Sequence, residues 1–274
     1  MRLCGRCSLD DRAMKAISSR DNPLYKELKH LATSSQARRK AGRTLLDGVH
    51  LCETYLQHAG MPALCIVSES ARYHPEVATI LVTCDTDAHR CVVLPDALFG
   101  ALSQVENGID LLFVIDTPQT SYEKVLKRSA VLLDNLQDPG NLGSILRSAA
   151  AAGIQDVFCS QGSVFAWSPK VLRAGMGAHF LLQIHENVDL GVLVKDAKIP
   201  VLATSSHAQK TVFQIDLKQE VAWLFGHEGQ GVDAALLASA THQVAIPHLG
   251  EVESLNVAAS AAICFFEQVR QKVL

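Results

Sequence analysis

Ala130-Val-Leu-Leu-Asp-Asn-Leu-Gln-Asp-Pro-Gly-Asn-Leu-Gly-Ser-Ile-Leu-Arg147 decides the fold class. The apolar run predicts a strand over residues 130–136. Leu142, Ile145, Leu146 and Ala149 then recur at helical spacing, predicting a helix over 142–152 that Gly153 ends. Asn141 is the expected N-cap, and Gly140 and Gly143 let the backbone approach a ligand closely. Free N–H groups in the first turn, together with the helix dipole, suit an anion. Arg147, about two turns into the helix, lies off the apolar stripe and can project toward the loop end of the sheet. Taken alone, the segment is equally a capped helix with one surface arginine.

The same alternation continues toward the C-terminus. Strands are expected at 156–160, 181–185, 201–204, 221–226 and 243–247. Helical segments are expected at 169–174, 190–197, 232–240 and 255–272. The strands are short, continuous apolar runs, as a parallel sheet covered on both faces requires. Upstream, Leu24, Leu28 and Leu31 mark a helix opened by Asn22 and Pro23. Strands at 44–47, 63–68, 91–94 and 110–116 alternate with helices at 49–58, 74–81 and 96–103, predicting a smaller α/β layer domain. The resulting division is a poorly ordered extension at 1–13, a domain at 14–116, a linker at 117–129 with a short helix near Tyr122–Arg128, and a second domain at 130–274.

Two further loops repeat the strand–loop–helix plan. Trp223-Leu-Phe-Gly-His-Glu-Gly-Gln-Gly231 runs a buried strand into a glycine-bearing turn. Its spacing is neither that of a dinucleotide fingerprint nor that of a Walker loop. Glu228 disfavours a bound pyrophosphate and suits a cationic or neutral ligand such as a sulfonium cofactor. Ala245-Ile-Pro-His-Leu-Gly-Glu-Val-Glu-Ser-Leu-Asn256 leads into an alanine-rich helix that Ser254 or Asn256 can cap. All three loops fall at carboxyl ends of strands, the edge where open α/β sheets bind ligands.

Composition narrows the classes. The chain has 274 residues, 48% hydrophobic and 19% charged, which sustains a sizeable core and argues against disorder. No apolar run approaches the ~18 residues of a membrane span. Residues 1–11 carry charges where a secretory signal needs an apolar core, so a cytoplasmic protein is expected. The eight cysteines read as buried thiols, and the pair Cys4 and Cys7 lacks a partner pair for a structural zinc site, so no metal is expected. A net charge of −3 excludes a uniformly basic nucleic-acid binder. Charge is nonetheless uneven: residues 12–43 hold nine Lys or Arg against two acids. Within that stretch Arg20, Arg38, Arg39, Lys40 and Arg43 can neutralise phosphates, although a solvated helical face accounts for the charge equally well.

Together, N-L-G-x-x-L-R at 141–147, F-G-x-E-G-x-G at 225–231 and I-P-x-x-G-x-V-x-S-L-N at 246–256 resemble the three signatures of the SpoU (TrmH-like) family of SPOUT RNA ribose methyltransferases. Residues 169–178 match as well, and the resemblance covers about 131–270. Residues 14–116 are similar, more loosely, to the family's L30e-like substrate-binding domain. The resemblance implies a parallel-sheet catalytic domain with a C-terminal trefoil knot, a homodimer, S-adenosyl-L-methionine as cofactor, and methylation of an RNA ribose 2′-hydroxyl. A guanosine of 23S ribosomal RNA is the expected target, with transfer RNA as the alternative. It further implies that Asn141, Arg147, Glu228, Ser254 and Asn256 form the catalytic group. Leu224, Phe225, Gly226, Gly229, Ile246, Pro247, Leu255 and Asn256 would hold the cofactor. The basic cluster would then grip RNA. A rival, an RNA-binding assembly factor without activity, predicts damage at Arg147, Glu228 or Asn256, and all three are present.

Overall fold

The computed structural model describes residues 14–84, 90–105 and 108–274. The expected extension at 1–13, with Cys4 and Cys7, lies outside them. The chain divides into two compact units after Pro118.

The first unit runs β1 (Lys15–Ala16), α1 (Pro23–Thr33), α2 (Ser35–Ala41), β2 (Arg43–Asp47), α3 (Val49–His58), β3 (Leu64–Ser68), α4 (Pro75–Cys84), β4 (Cys91–Leu94), α5 (Asp96–Gly100) and β5 (Leu111–Asp116). Its sheet order is β1-β4-β3-β5-β2, with β5 antiparallel to both neighbours and the remaining pairs parallel. Tyr25, Leu28 and Leu31 of α1 pack with Leu98 and Phe99 of α5 against Ile66, Leu94 and Leu112. Asn22 caps α1, its side chain accepting from the Leu24 N–H at 2.9 Å. A second helix, α2, follows directly, capped by Ser34 and closed by Gly42 at φ 61°.

Here one expectation is corrected. Arg38 is not an RNA-facing residue: it is only 7% exposed. Its Nη1 donates to the Leu31 carbonyl at 2.6 Å and the Ala32 carbonyl at 3.4 Å, near the end of α1, where carbonyls lack helical partners. Arg43 pairs with Asp116 at 2.9 Å and Glu27 at 3.7 Å. Arg20, Arg39 and Lys40 are exposed.

The second unit comprises β6 (Ala130–Leu133), α6 (Pro139–Ala151), β7 (Asp156–Ser160), α7 (Pro169–Gly175), β8 (Gln183–Val188), α8 (Leu190–Lys195), β9 (Val201–Thr204), β10 (Lys210–Thr211), β11 (Ala222–Phe225), α9 (Ala234–Ser239), β12 (His242–Ala245) and α10 (Val257–Val273). Its seven strands are all parallel, in the order β10-β12-β9-β11-β6-β7-β8. The chain leaves β6 toward β7 and β8, then crosses to the other side, and β11 inserts between β6 and β9. That reversal makes the carboxyl edge near β11 a topological switch point, where such sheets bind ligands.

The expected helix near Tyr122–Arg128 does not form. Tertiary contacts hold the segment in irregular backbone instead. Leu126 is buried and its carbonyl accepts from the Lys198 N–H at 2.9 Å. The Tyr122 ring packs on Phe158 and His185, with centroids 5.4 and 5.1 Å away. Much of the expected linker therefore belongs to the second unit.

Two features fix the helices on this sheet. At Gly143 a Cβ would lie 2.4 Å from the Ala174 Cβ and 2.7 Å from the Val171 carbonyl, so α6 and α7 approach backbone to backbone. On α10, buried Gln268 accepts from the Trp223 indole N–H at 2.9 Å and donates to Ser129 Oγ and the Gln219 carbonyl. Replacing Gln268 by leucine leaves that indole N–H buried without a partner. We expect a loss of about 1–3 kcal/mol, read by urea denaturation; an unchanged midpoint contradicts the network's role.

The six described cysteines are buried, and none is in a disulfide. Among the described residues no helix is long and apolar enough to cross a membrane, and no group of three or more His, Cys, Asp or Glu could hold a metal.

Candidate active site

The loop after β6 delivers α6. Its cap is Asp138 rather than Asn141: Asp138 Oδ1 accepts from the Asn141 N–H at 2.8 Å, and Pro139 takes the first helical position. The helix therefore starts three residues earlier than expected. Asn141 lies in its first turn, and its side chain is free for other partners.

Those partners are the other two motifs. Asn141 Nδ2 donates to Glu228 Oε1 at 3.1 Å, and Asn141 Oδ1 accepts from Asn256 Nδ2 at 2.9 Å. Asn256 Oδ1 in turn caps α10, accepting from the Ala258 and Ala259 N–H groups at 2.9 and 3.3 Å. A single hydrogen-bonded chain, Glu228–Asn141–Asn256, thus joins the loops after β11, β6 and β12. Each amide is oriented by its neighbour, because an amide oxygen only accepts and its nitrogen only donates.

Glu228 also receives the Asp138 N–H at 2.9 Å and the Gln137 N–H at 3.2 Å. Burial pulls the Glu228 carboxyl upward, but the hydrogen bonds from Asp138, Asn141 and Gln137 outweigh it and leave it below its ordinary value. A carboxylate so engaged ties loops together and does not accept a substrate proton. Glu228→Gln forces an NH₂ group among these donors. We expect at least a tenfold loss of turnover with Tm within about 4 °C of wild type. A variant that turns over normally removes Glu228 from the positioning group.

Beside this chain lies a cavity of about 410 Å³, walled by the segments that follow β9, β11 and β12. That size falls within the ~300–1,000 Å³ of small-molecule sites. Of the residues expected to hold a cofactor, Gly226, Gly229, Ile246 and Leu255 line it, as do Glu228 and Ser254 of the expected catalytic group. Pro247 and Asn256 are outside its wall. Leu224 and Phe225 are likewise outside the wall, their side chains fully buried in the sheet's core. Gly226 is the tightest point: a Cβ there would lie 2.1 Å from the Gly231 carbonyl carbon.

The sequence had not pointed to Thr204–His207 and Ser260, which also line the wall. A usable signal was present: a Thr-Ser-Ser run directly after an apolar strand marks a loop at the binding edge. It had also missed Asp134, whose Oδ2 accepts from the Asp233 N–H at 2.9 Å and ties the β6 loop to the residues before α9.

Among the described residues no lysine or arginine lines the cavity, and Glu228 is its one carboxylate. That lining suits a cationic ligand and not a phosphate. Arg147 stands on the exposed side of α6 and has no hydrogen bond or ion pair among the described residues.

Comparison with known proteins decides the family. Residues 128–266, just over half of the chain, match the SpoU rRNA Methylase family. The chain belongs to the SpoU rRNA methylases. SpoU relatives cover nearly its whole length. One is an uncharacterized tRNA/rRNA methyltransferase (slr1673) of Synechocystis, 35% identical over 94% of each chain. Another is the 23S rRNA (guanosine(2553)-2′-O)-methyltransferase RlmP of Bacillus subtilis, 31% identical over 92% of this chain and 98% of its own. A crystal structure of an RNA 2′-O ribose methyltransferase superposes with a TM-score of 0.79 at 32% identity, covering 94% of this chain and all of that one.

Proposed function

We propose that this SpoU protein transfers a methyl group from S-adenosylmethionine to a ribose 2′-hydroxyl of RNA, with a guanosine of 23S ribosomal RNA as its target. The observation that carries this is the Glu228–Asn141–Asn256 chain set against a cavity that no described lysine or arginine lines. The named activity of the B. subtilis relative supports the choice of guanosine and ribosomal RNA.

The residues fit the cofactor. Gly226, Gly229 and Ile246 would hold it, and the Glu228 carboxylate supplies negative potential in a wall where, among the described residues, there is no lysine or arginine. When bound, S-adenosylmethionine supplies an electrophilic methyl on a sulfonium leaving group. The chain's own task is alignment and charge stabilisation. In the displacement, the ribose O2′ bonds to the methyl carbon, the carbon–sulfur bond breaks, and the O2′ proton passes to water. Arg147 clamps a substrate phosphate through its guanidinium and stabilises charge developing on O2′. Asn141 and Asn256, each locked in orientation, direct polar contacts to the ribose and the cofactor, and Ser254 adds a hydroxyl at the cavity wall.

The finer architecture belongs to the same proposal. The second unit carries a trefoil knot in its C-terminal part and pairs as a homodimer. The first unit is an L30e-like RNA grip, with Arg20, Arg39, Lys40 and Arg43 as its phosphate contacts and Arg38 as internal support. The protein works in the cytoplasm.

The test is transfer of tritiated methyl from S-adenosylmethionine to 23S rRNA that lacks the modification, followed by alkaline hydrolysis. A 2′-O-methyl group blocks cleavage of its own linkage, so the label is expected in an alkali-resistant dinucleotide. Label released as a mononucleotide places the methyl on a base and overturns the proposal.

A further inference from the structure

His227, inside the second motif, has no part in the chemistry above. Its ring Nδ1 accepts from the Gly229 N–H at 2.9 Å and the Gln230 N–H at 3.2 Å. Its backbone N–H donates to the Gly231 carbonyl at 3.0 Å, and its carbonyl accepts from the Gly231 N–H at 2.8 Å. Residues 227–231 therefore close on themselves four times, and one side chain supplies two of the closures. This small ring is the part of the cavity wall on which Gly226 packs at backbone contact.

A ring nitrogen that accepts N–H bonds presents its lone pair, so in this state the imidazole proton sits on Nε2. Nε2 has no partner among the described residues. His227 lines both the cofactor cavity and a second cavity of about 860 Å³. The titratable groups around it are few. Glu228 is adjacent, with its carboxylate turned to the Gln137, Asp138 and Asn141 donors. His207 and His248 line the first cavity, and Asp134, Asp189 and Asp233 line the second. Among the described residues no lysine or arginine lines either.

We propose that His227 is the positioning residue of the cofactor loop: its Nδ1 locks the Gly229 and Gln230 amides in the conformation that S-adenosylmethionine selects. A side chain without an acceptor at this position leaves both N–H groups without that partner. With Nδ1 engaged by two donors, His227 is not the base that receives the O2′ proton. The proposal rests on placing S-adenosylmethionine in the 410 Å³ cavity.

The experiment is calorimetric titration of the full chain with S-adenosylmethionine. His227→Ala loses the lock and is expected to bind about tenfold more weakly than wild type. In His227→Asn the side-chain oxygen accepts the N–H two residues on, as in an Asx turn. It regains most of the affinity lost in the alanine variant. Thermal melts accompany each titration, and should the alanine variant fail to fold, the asparagine variant alone decides, by binding close to wild type. Wild-type affinity in His227→Ala, or no recovery in His227→Asn, overturns the proposal. Ile246→Trp separates the underlying placement: it fills the cavity and is expected to abolish binding. Normal binding by Ile246→Trp refutes the placement whatever the His227 variants do.

Discussion

Arg147→Ala is expected to lower the rate of methyl transfer about 10²–10³-fold, the range seen when one group stabilising transition-state charge is removed. Stability and cofactor affinity should hardly move. The side chain is exposed and bonds to nothing among the described residues, so its loss leaves no cavity and no orphaned partner. Nor does it line the cofactor cavity. An arginine without a protein partner, on the helix whose first turn carries Asn141, is available to an incoming phosphate. Arg147→Lys keeps the charge but not the planar fork, and should recover only part of the rate. Single-turnover rates measured beside calorimetric affinities check this. A fall in affinity with the rate intact would assign Arg147 to cofactor binding instead.

Gly226→Ala carries the second large effect, and it acts through space rather than charge. The added methyl meets only backbone: the Gly231 carbonyl carbon at 2.1 Å, its oxygen at 2.2 Å and the Val232 nitrogen at 2.2 Å. None of these can swing aside as a side-chain tip can. The 226–232 loop must move, at a cost of about 1–3 kcal/mol or more. Because that loop walls the cofactor cavity, we expect a loss of about a hundredfold in S-adenosylmethionine affinity, roughly 2.7 kcal/mol. Gly231 supplies the contrast. It has open space for a Cβ but sits at φ 73°, so Gly231→Ala incurs only backbone strain of about 1–2 kcal/mol. Asparagine, which tolerates that region, should do better than alanine at 231 and worse at 226. Equal tolerance at the two positions contradicts the packing account.

The parallel sheet was legible because its central strands are short apolar runs between polar loops, as at Ala222–Phe225 and Val201–Thr204, whereas the polar edge strand β10, Lys210–Thr211, was not. The binding edge was legible for the same reason, since glycines and polar residues follow those strands. Failures came where tertiary contacts override local pattern. Asp138 and Asn141 are both good caps; Pro139, at the first helical position, was the signal favouring Asp138. Polar Thr117–Ser129 reads as a linker, yet Leu126 is buried and Tyr122 packs on Phe158. In Arg38–Arg39–Lys40 composition marks a basic run, but only packing shows that Arg38 turns inward to the end of α1. Leu224 and Phe225 fall in a binding motif, yet their side chains serve the core and the motif's ligand-facing part begins at Gly226. Above all, no sequence spacing indicates that Asn141 and Asn256, 115 residues apart, touch.

The most direct test of the central claim is nucleoside mass spectrometry of ribosomal RNA from three strains: wild type, a deletion of this gene, and the deletion carrying Arg147→Ala. The account predicts that the deletion lacks one 2′-O-methylated nucleoside, that it maps to a guanosine of 23S rRNA, and that the variant does not restore it. Unchanged ribose methylation in the deletion strain, or full restoration by Arg147→Ala, would contradict it.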